Sequence, residues 1–399
     1  MTKPIIVYLD SDDYSIFSDD SRRTPEIIRI ENQLLQFRDE NKIEIRFSHI
    51  NVIEAAPTKP EDKVSSSKRL QTIKKFCEFK CLASYVLAIE YEIESLRKQK
   101  PTPNKFIIPN DSGKWFPNFV DLDEFSYSAE SFKEEISKIP DRKKRRIAQR
   151  KIFNKNGSVK NIRTALKGSA ESFAKEICYK YPLTEESAKL AAESYFNSGS
   201  TANFAQLLSN SLSNLENISK WYEFSWDEAT QLSSFLREIG GDLLSSLELL
   251  KDKSTELTNK YKLEGLTDSQ IKNKMDVIFV GLLNSLPKDL IERMCVNNAT
   301  SIIQEVSWEL CPSLLTLTTL SVHLAKLNSL TTRKSKTSDF GDILHTAYLP
   351  HVDIFRADGN TASIIEQAKL PFNTIVVSKL ADLPNEINNL LMFRQKQLN

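Results

Sequence analysis

The sequence predicts an α/β fold: a parallel sheet flanked by helices, built from both ends of the chain, with a mostly α-helical insertion between them. Three observations carry that expectation. Residues 4–9 form a continuous apolar, β-rich run that ends at Asp10, the kind of strand buried on both faces of a parallel sheet. Strand-like and helix-like segments alternate through the first hundred residues and again near the end of the chain, which is the grammar of a parallel sheet. Between the two, helical patterns dominate and strand signals are few.

Each element follows from local chemistry. Residues 25–41 read as a helix, with Pro25 suited to the first helical position and Glu26 behind it. Residues 43–47 are a short strand, and Ser48 or Asn51 caps a following helix that carries Glu54. Pro57 and Pro60 interrupt, and a long helical stretch covers 64–99. The run Lys100-Pro-Thr-Pro ends this part. Apart from the strand signal Phe106-Ile-Ile, the chain then reads as helices over about 128–152, 158–180, 184–196, 200–219, 226–260, 267–294 and 298–330. Gly240-Gly241 is expected to kink or divide the fifth of these. No fixed repeat period supports a solenoid. The expected organisation is therefore 1–99, a 100–324 insertion, and 325–399 returning to the sheet.

The stretch 338–358 organises the rest. Phe340, Ile343, Leu344, Ala347 and Tyr348 fall on one apolar helical stripe. Ser338 or Asp339 can cap its start, and Pro350 stops it. Residues 352–355 read as a strand, and Asp358 lies just past its end. A helix over 361–370, a strand over 373–377 and a helix over 385–397 complete the chain. Asp339 and Asp342 share an edge of the first turn, and helix N-termini favour carboxylates in any case, by about 0.3–1 kcal/mol. That preference does not account for Asp358. Asp10 and Asp358 each end a strand, and ligands collect at the carboxyl ends of strands in open α/β sheets. The two aspartates can meet at one sheet edge.

Charge and composition narrow the function. The net charge is +1, with 40% hydrophobic and 27% charged residues. No global field announces a nucleic-acid or membrane partner, so any basic surface is local. Apolar stretches are short or interrupted, so no membrane span is expected. Five cysteines (77, 81, 178, 295, 311) form no ligand set with histidines. Cys77 and Cys81 are expected to share a helix face, as thiols in a reducing cytoplasm. A strand so near the start leaves no signal peptide. The run 142–151 holds seven basic residues and no acid. It reads as a solvated helix face or as a contact to a nucleic-acid backbone through Lys143, Lys144, Arg145 and Arg146.

The residues with chemistry to offer are Asp10, Glu54, Asp339, Asp342, Asp353 and Asp358. No G-x-S-x-G, Walker or dinucleotide-binding glycine motif occurs. Carboxylates that converge repel one another and persist where a divalent cation neutralises them. Oxygen-only ligands select Mg²⁺ or Mn²⁺. Two such ions about 4 Å apart would activate water and stabilise the leaving oxygen of a phosphodiester.

In this order and setting the residues resemble the PIN-domain nucleases, over about 1–97 and 325–399. The family pattern is matched by Leu9-Asp10, by Glu54 in S-H-I-N-V-I-E, by Asp342 in D-I-L-H-T-A and by Asp358 in I-F-R-A-D. The resemblance implies a PIN-like parallel sheet and metal-dependent cleavage of RNA, less often of single-stranded DNA. Asp10, Asp342 and Asp358 would hold Mg²⁺ or Mn²⁺, and Glu54 would hold the ion or orient water. The products would carry a 3′-hydroxyl and a 5′-phosphate. Domains of this kind often serve as toxins or in defence, regulated by a protein partner, for which the helical insertion offers a surface. Asp339, Asp353 and His345 would support the ligands from behind. The chain departs from the family at Arg356, where a Thr or Ser is usual, and Asp339 competes with Asp342 for the third place. Two other readings stay open. One is a haloacid-dehalogenase-type phosphatase using Asp10 and Asp12. The other is a non-catalytic α/β scaffold whose acids are helix caps and whose insertion binds a partner.

Overall fold

Strand β1 (Ile5–Tyr8) is buried at all four positions, because it has a strand on each side and helices on both faces. The computed structural model describes residues 3–100, 107–108, 136–153, 170–198, 202–212, 214–294, 306–330, 336 and 338–398. Within them β1 pairs in parallel with β2 (Ile43–Arg46) on one edge and with β5 (Ile354–Arg356) on the other. β6 (Ile375–Val377) pairs in parallel with β5, giving a four-stranded sheet in the order β2-β1-β5-β6. β3 (Cys81–Leu82) and β4 (Ile107–Ile108) form a separate antiparallel pair. The two ends of the chain thus meet in one α/β sheet.

The helices follow in chain order. Before β3 come α1 (Ser11–Ser18), α2 (Pro25–Asp39), α3 (His49–Glu54) and α4 (Lys63–Cys77), and α5 (Tyr85–Lys98) follows it. The middle of the chain supplies α6 (Arg142–Ile152), α7 (Ala170–Lys180), α8 (Glu185–Ser198), α9 (Ala202–Leu212), α10 (Leu215–Phe224), α11 (Trp226–Leu263), α12 (Asp268–Met294) and α13 (Pro312–Leu330). Then come α14 (Ser338–His345), a 3-10 turn (Thr346–His351), α15 (Gly359–Ala368) and α16 (Leu383–Leu398). Helix α2 starts where the sequence places it: Pro25 stands at the start and Thr24 Oγ1 accepts from Ile27 N at 3.3 Å. Among the described residues no helix is long and apolar enough to cross a membrane.

Several expectations change. The stretch 64–99 is two helices, because Glu78 turns the chain at φ 54° and Leu82 N then donates to Phe47 O at 2.8 Å. Pairing with the end of β2 overrides the helical pattern there, and it puts Cys81 in a strand rather than on the helix of Cys77. Residues 200–219 divide at Asn214, whose side chain caps α10 through Glu216 N at 3.0 Å. Gly240-Gly241 does not divide α11. Expectations over 128–135, 158–169 and 298–305, and those for Phe106 and Cys295, lie outside the described residues.

The alternation along β1 sorts the molecule into two cores. Ile5, Val7 and Leu9 face α1, α2 and α4, together with Ile177 of α7, Leu208 of α9 and Tyr222 of α10. Ile6 and Tyr8 face the other way, toward Met275 of α12, Leu320 of α13, Leu344 of α14 and Ile364 of α15. Helices from the middle of the chain therefore close both faces of the sheet. The expected boundary at 324/325 falls inside α13, and helices α7 to α13 contribute described residues to these two cores. The Tyr222 hydroxyl, buried, donates to Val52 O at 2.7 Å and ties α10 to α3.

Candidate functional site

The strand order reverses between β1 and β5, because β2 lies on one side and β6 on the other. The crevice at the carboxyl ends of those two strands is where open α/β sheets take ligands. Tyr8 pairs with Phe355 across this edge, so Asp10 and Asp358, just beyond each strand, are brought to the same end. Asp10, Asp342, His345, Arg356 and Asp358 line one small cavity there. Glu54, the last residue of α3, joins through His345, whose Nε2 lies 3.0 Å from Glu54 Oε2.

The acids differ in what else holds them. Asp358 caps α15, its Oδ1 accepting from Thr361 N at 2.7 Å, so a helix cap explains part of its presence. Asp339 does not reach the cavity: its Oδ2 accepts from Lys336 N at 3.0 Å and fixes the start of α14. Asp342 is the acid of that pair that faces the others, and no hydrogen-bond donor to its carboxylate is found among the described residues. Burial first, then the charges of Asp358, Glu54 and Asp10, push Asp342 up to about 8. Burial likewise raises Asp10, with Glu54 and Asp358 adding to it against His345 and Arg356.

His345 is central to the arrangement. Burial would lower its pKa, but the charge and hydrogen bond of Glu54, with Asp10 and Asp342, raise it above the ordinary histidine value. Burial would raise Glu54, yet the charge and hydrogen bond of His345, with Ser11 and Arg69, bring it below the ordinary glutamate value. Each of the pair thus favours the charged form of the other. Nδ1 of His345 lies 2.5 Å from the Tyr8 hydroxyl, which lies 2.6 Å from Ser48 Oγ. Asn51 closes the ring, donating from Nδ2 to Ser11 Oγ at 3.1 Å, while Ser11 Oγ lies 3.3 Å from His345 Nε2. His345 thus contacts Glu54 from behind. Tyr8, Ser11, Ser48 and Asn51 were not singled out for this role in the sequence. The one signal was Tyr8, a hydroxyl inside an otherwise aliphatic strand.

Asp353 does not join the site. It precedes β5, at the opposite end of the sheet from Asp358, where its Oδ2 accepts from Ile6 N at 2.7 Å and Arg394 pairs with Oδ1. That fastening of β1 to α16 corrects the expectation that it supports the ligands. Asp12, the general acid a phosphatase would need, is exposed and paired with Arg22 at 2.9 Å. In the basic run, Asp141 caps α6 by accepting from Lys143 N at 2.6 Å and Lys144 N at 3.0 Å. Lys143, Lys144 and Arg146 are exposed, whereas Arg145 is partly engaged, donating from Nε to Ile139 O at 2.9 Å.

The donors fit a hard divalent cation in kind: four carboxylates and no thiolate, with a half-buried Asp342 whose charge a cation would stabilise. Among the described residues no three Asp, Glu, His or Cys side chains are already grouped as a metal cage, so binding requires the carboxylates to rotate toward the ion. The chain matches no protein-family model, no curated protein and no solved structure.

Gly341 makes the placement of Glu54 testable. A Cβ there would collide with Glu54 Oε1. Gly341→Ala is expected to displace that carboxylate, the far end of a flexible side chain, while gaining about 1 kcal/mol of helix propensity. The variant should melt within a few degrees of wild type yet gain less from Mn²⁺ in a thermal melt. A large loss of stability, or an unchanged response to Mn²⁺, would show that Glu54 takes no part.

Proposed function

We propose that the chain is a metal-dependent nuclease of PIN type, an endoribonuclease with single-stranded DNA as a second substrate class. The observation that carries this reading is Asp342, a half-buried carboxylate with no donor among the described residues, facing Asp10, Glu54 and Asp358 at the sheet's switch point. Asp10, Asp342 and Asp358 would hold Mg²⁺ or Mn²⁺, with Glu54 completing the set. Such an ion supplies water activation and charge neutralisation at a phosphodiester. His345 fixes the Glu54 carboxylate, and Tyr8 fixes the ring of His345. A role as a toxin or defence effector, held in check by a protein partner, accompanies this proposal through the resemblance alone.

The reading is tested by incubating the purified chain with RNA and single-stranded DNA in Mg²⁺ or Mn²⁺, with EDTA as the control. Cleavage that EDTA stops is expected. A folded protein that cleaves neither substrate in either metal would favour the scaffold reading, to which the capping role of Asp358 also belongs.

The exposed side of α6 would bind the backbone of the substrate. Replacing Lys143, Lys144 and Arg146 with Gln is expected to weaken RNA binding and to flatten its salt dependence, by about 0.7 in the log–log slope per lost contact on a single strand. Arg145 is left in place because it holds the turn before the helix. An unchanged slope in a binding titration would assign the run to solvent.

A further inference from the structure

Arg69, on α4, is a cation that the fold leaves under-satisfied. It is half-buried, and its Nη1 donates to Glu54 O at 3.1 Å. That bond caps the end of α3, a role basic side chains often take at helix carboxyl ends, and it uses only one of the guanidinium's donors. Nε is buried with no hydrogen-bond partner, and Nη2, which is not buried, has none among the described residues either. Three acids lie close enough for their charges to act on Arg69, and each is held elsewhere. Glu54 Oε2 lies 3.0 Å from His345 Nε2, Asp12 takes both arms of Arg22 at 2.9 and 3.1 Å, and Asp62 accepts from Thr58 Oγ1 at 2.6 Å. Burial lowers the pKa of Arg69 below the ordinary arginine value, and the three acids, opposed by Arg22, do not make up for it. Among the described residues no ion pair includes Arg69, whereas its neighbour Lys68 pairs with Asp20 at 3.0 Å.

A buried donor without a partner costs stability, and a charge taken out of water is costly unless a counter-charge answers it. An anion on Nη2 would be that counter-charge. The position of Arg69 points to which anion. Glu54 is the link: its carboxylate faces Asp342 and Gly341 of α14, while its carbonyl holds Arg69 of α4. A site acid and an unpaired guanidinium thus meet at one residue, and the planar fork of arginine suits phosphate oxygens better than any other side chain does. We propose that Arg69 holds a phosphate of the single-stranded substrate, flanking the phosphodiester at the carboxylates. The inference rests on the nuclease reading above. It deepens that reading by giving the substrate backbone a second point of attachment, on α4 beside the end of α3.

Binding of a fluorescein-labelled oligouridine to the full-length chain tests it, with anisotropy read in EDTA so that no cleavage intervenes. Wild type is expected to bind. Arg69→Gln is expected to bind about tenfold more weakly, with a log–log salt slope shallower by about 0.7. Lys68→Gln, which removes a neighbouring charge on the same helix, should leave both as in wild type. An equal loss in Lys68→Gln would reduce Arg69 to general surface charge and overturn the proposal. Weaker binding by Arg69→Gln with an unchanged salt slope would also overturn it, leaving Arg69 as the cap on α3 alone. If Arg69→Gln, having lost that cap, does not fold, Arg69→Lys replaces it. Lysine keeps the charge but not the fork, so binding several-fold weaker than wild type is expected, and wild-type affinity would overturn the proposal. No RNA binding by wild type would instead overturn the nuclease reading itself, and a melting temperature raised by inorganic phosphate in that case would make Arg69 a site for a free anion.

Discussion

Asp10→Asn and Asp358→Asn are each expected to lower RNA cleavage by about 10³-fold or more. Each removes a charged oxygen from the set that would hold the ion, and a lost metal contribution of several kcal/mol corresponds to that factor at about 1.4 kcal/mol per tenfold. Both variants should fold. Asparagine caps helices about as well as aspartate, so Asp358→Asn keeps the bond from Thr361 N that starts α15. Asp10, at the start of α1, has its backbone amide held by Asp13 Oδ2 at 3.2 Å, a contact the substitution leaves alone. Loss of activity with native melting behaviour therefore isolates the metal centre. Full activity in either variant would remove that aspartate from the centre. Asp353→Asn is the matched control, since its carboxylate fastens the far end of β5, and it should cost stability without a specific loss of cleavage.

The parts of this site that were legible in the sequence are those fixed by local pattern. A continuous apolar run ending in Asp10 can be little else than a central parallel strand, and the helix-breaker-strand order around Pro350 brings Asp358 to the same edge. The choice between Asp339 and Asp342 was not legible, because they stand three residues apart near the start of one helix. The difference is a local one for Asp339, which accepts from Lys336 N three residues before it, and a tertiary one for Asp342, which faces the other acids. Asp353 misled because the strand was expected to start at Val352, whereas β5 starts at Ile354 and leaves Asp353 before its amino end. The break at Glu78 was hidden because its cause lies in another strand, at Phe47. The helices of the middle stretch show apolar stripes in sequence, but not what those stripes cover. Those of α7 to α13 cover both faces of the sheet.

Asp342→Asn should flatten the dependence of stability on pH in metal-free protein. The carboxyl is pushed up to about 8, from an ordinary 3.8, by burial first and then by Asp358, Glu54 and Asp10. A group that binds its proton more tightly when folded contributes stability that is complete below its unfolded value and is lost as pH rises through the folded one. Wild type in EDTA should therefore lose stability between about pH 4 and pH 8, by at most about 1.4 kcal/mol per pH unit for this proton. Asp10 is also raised, and Asp13, driven chiefly by burial, reaches about 8, so part of the slope remains in the variant. At pH 8 without metal the variant should be as stable as wild type or more so, because it has lost a charge and no hydrogen bond among the described residues. Mn²⁺ reverses the order. An ion that binds only the folded state stabilises it by about 2.7 kcal/mol at a hundredfold excess over its dissociation constant, and wild type should gain more of this than the variant. Thermal melts of both proteins from pH 5 to pH 8, in EDTA and in Mn²⁺, decide the matter. If the variant is the less stable at pH 8 in EDTA, and wild type ignores Mn²⁺, then Asp342 is a structural acid and the cluster at the switch point holds no ion.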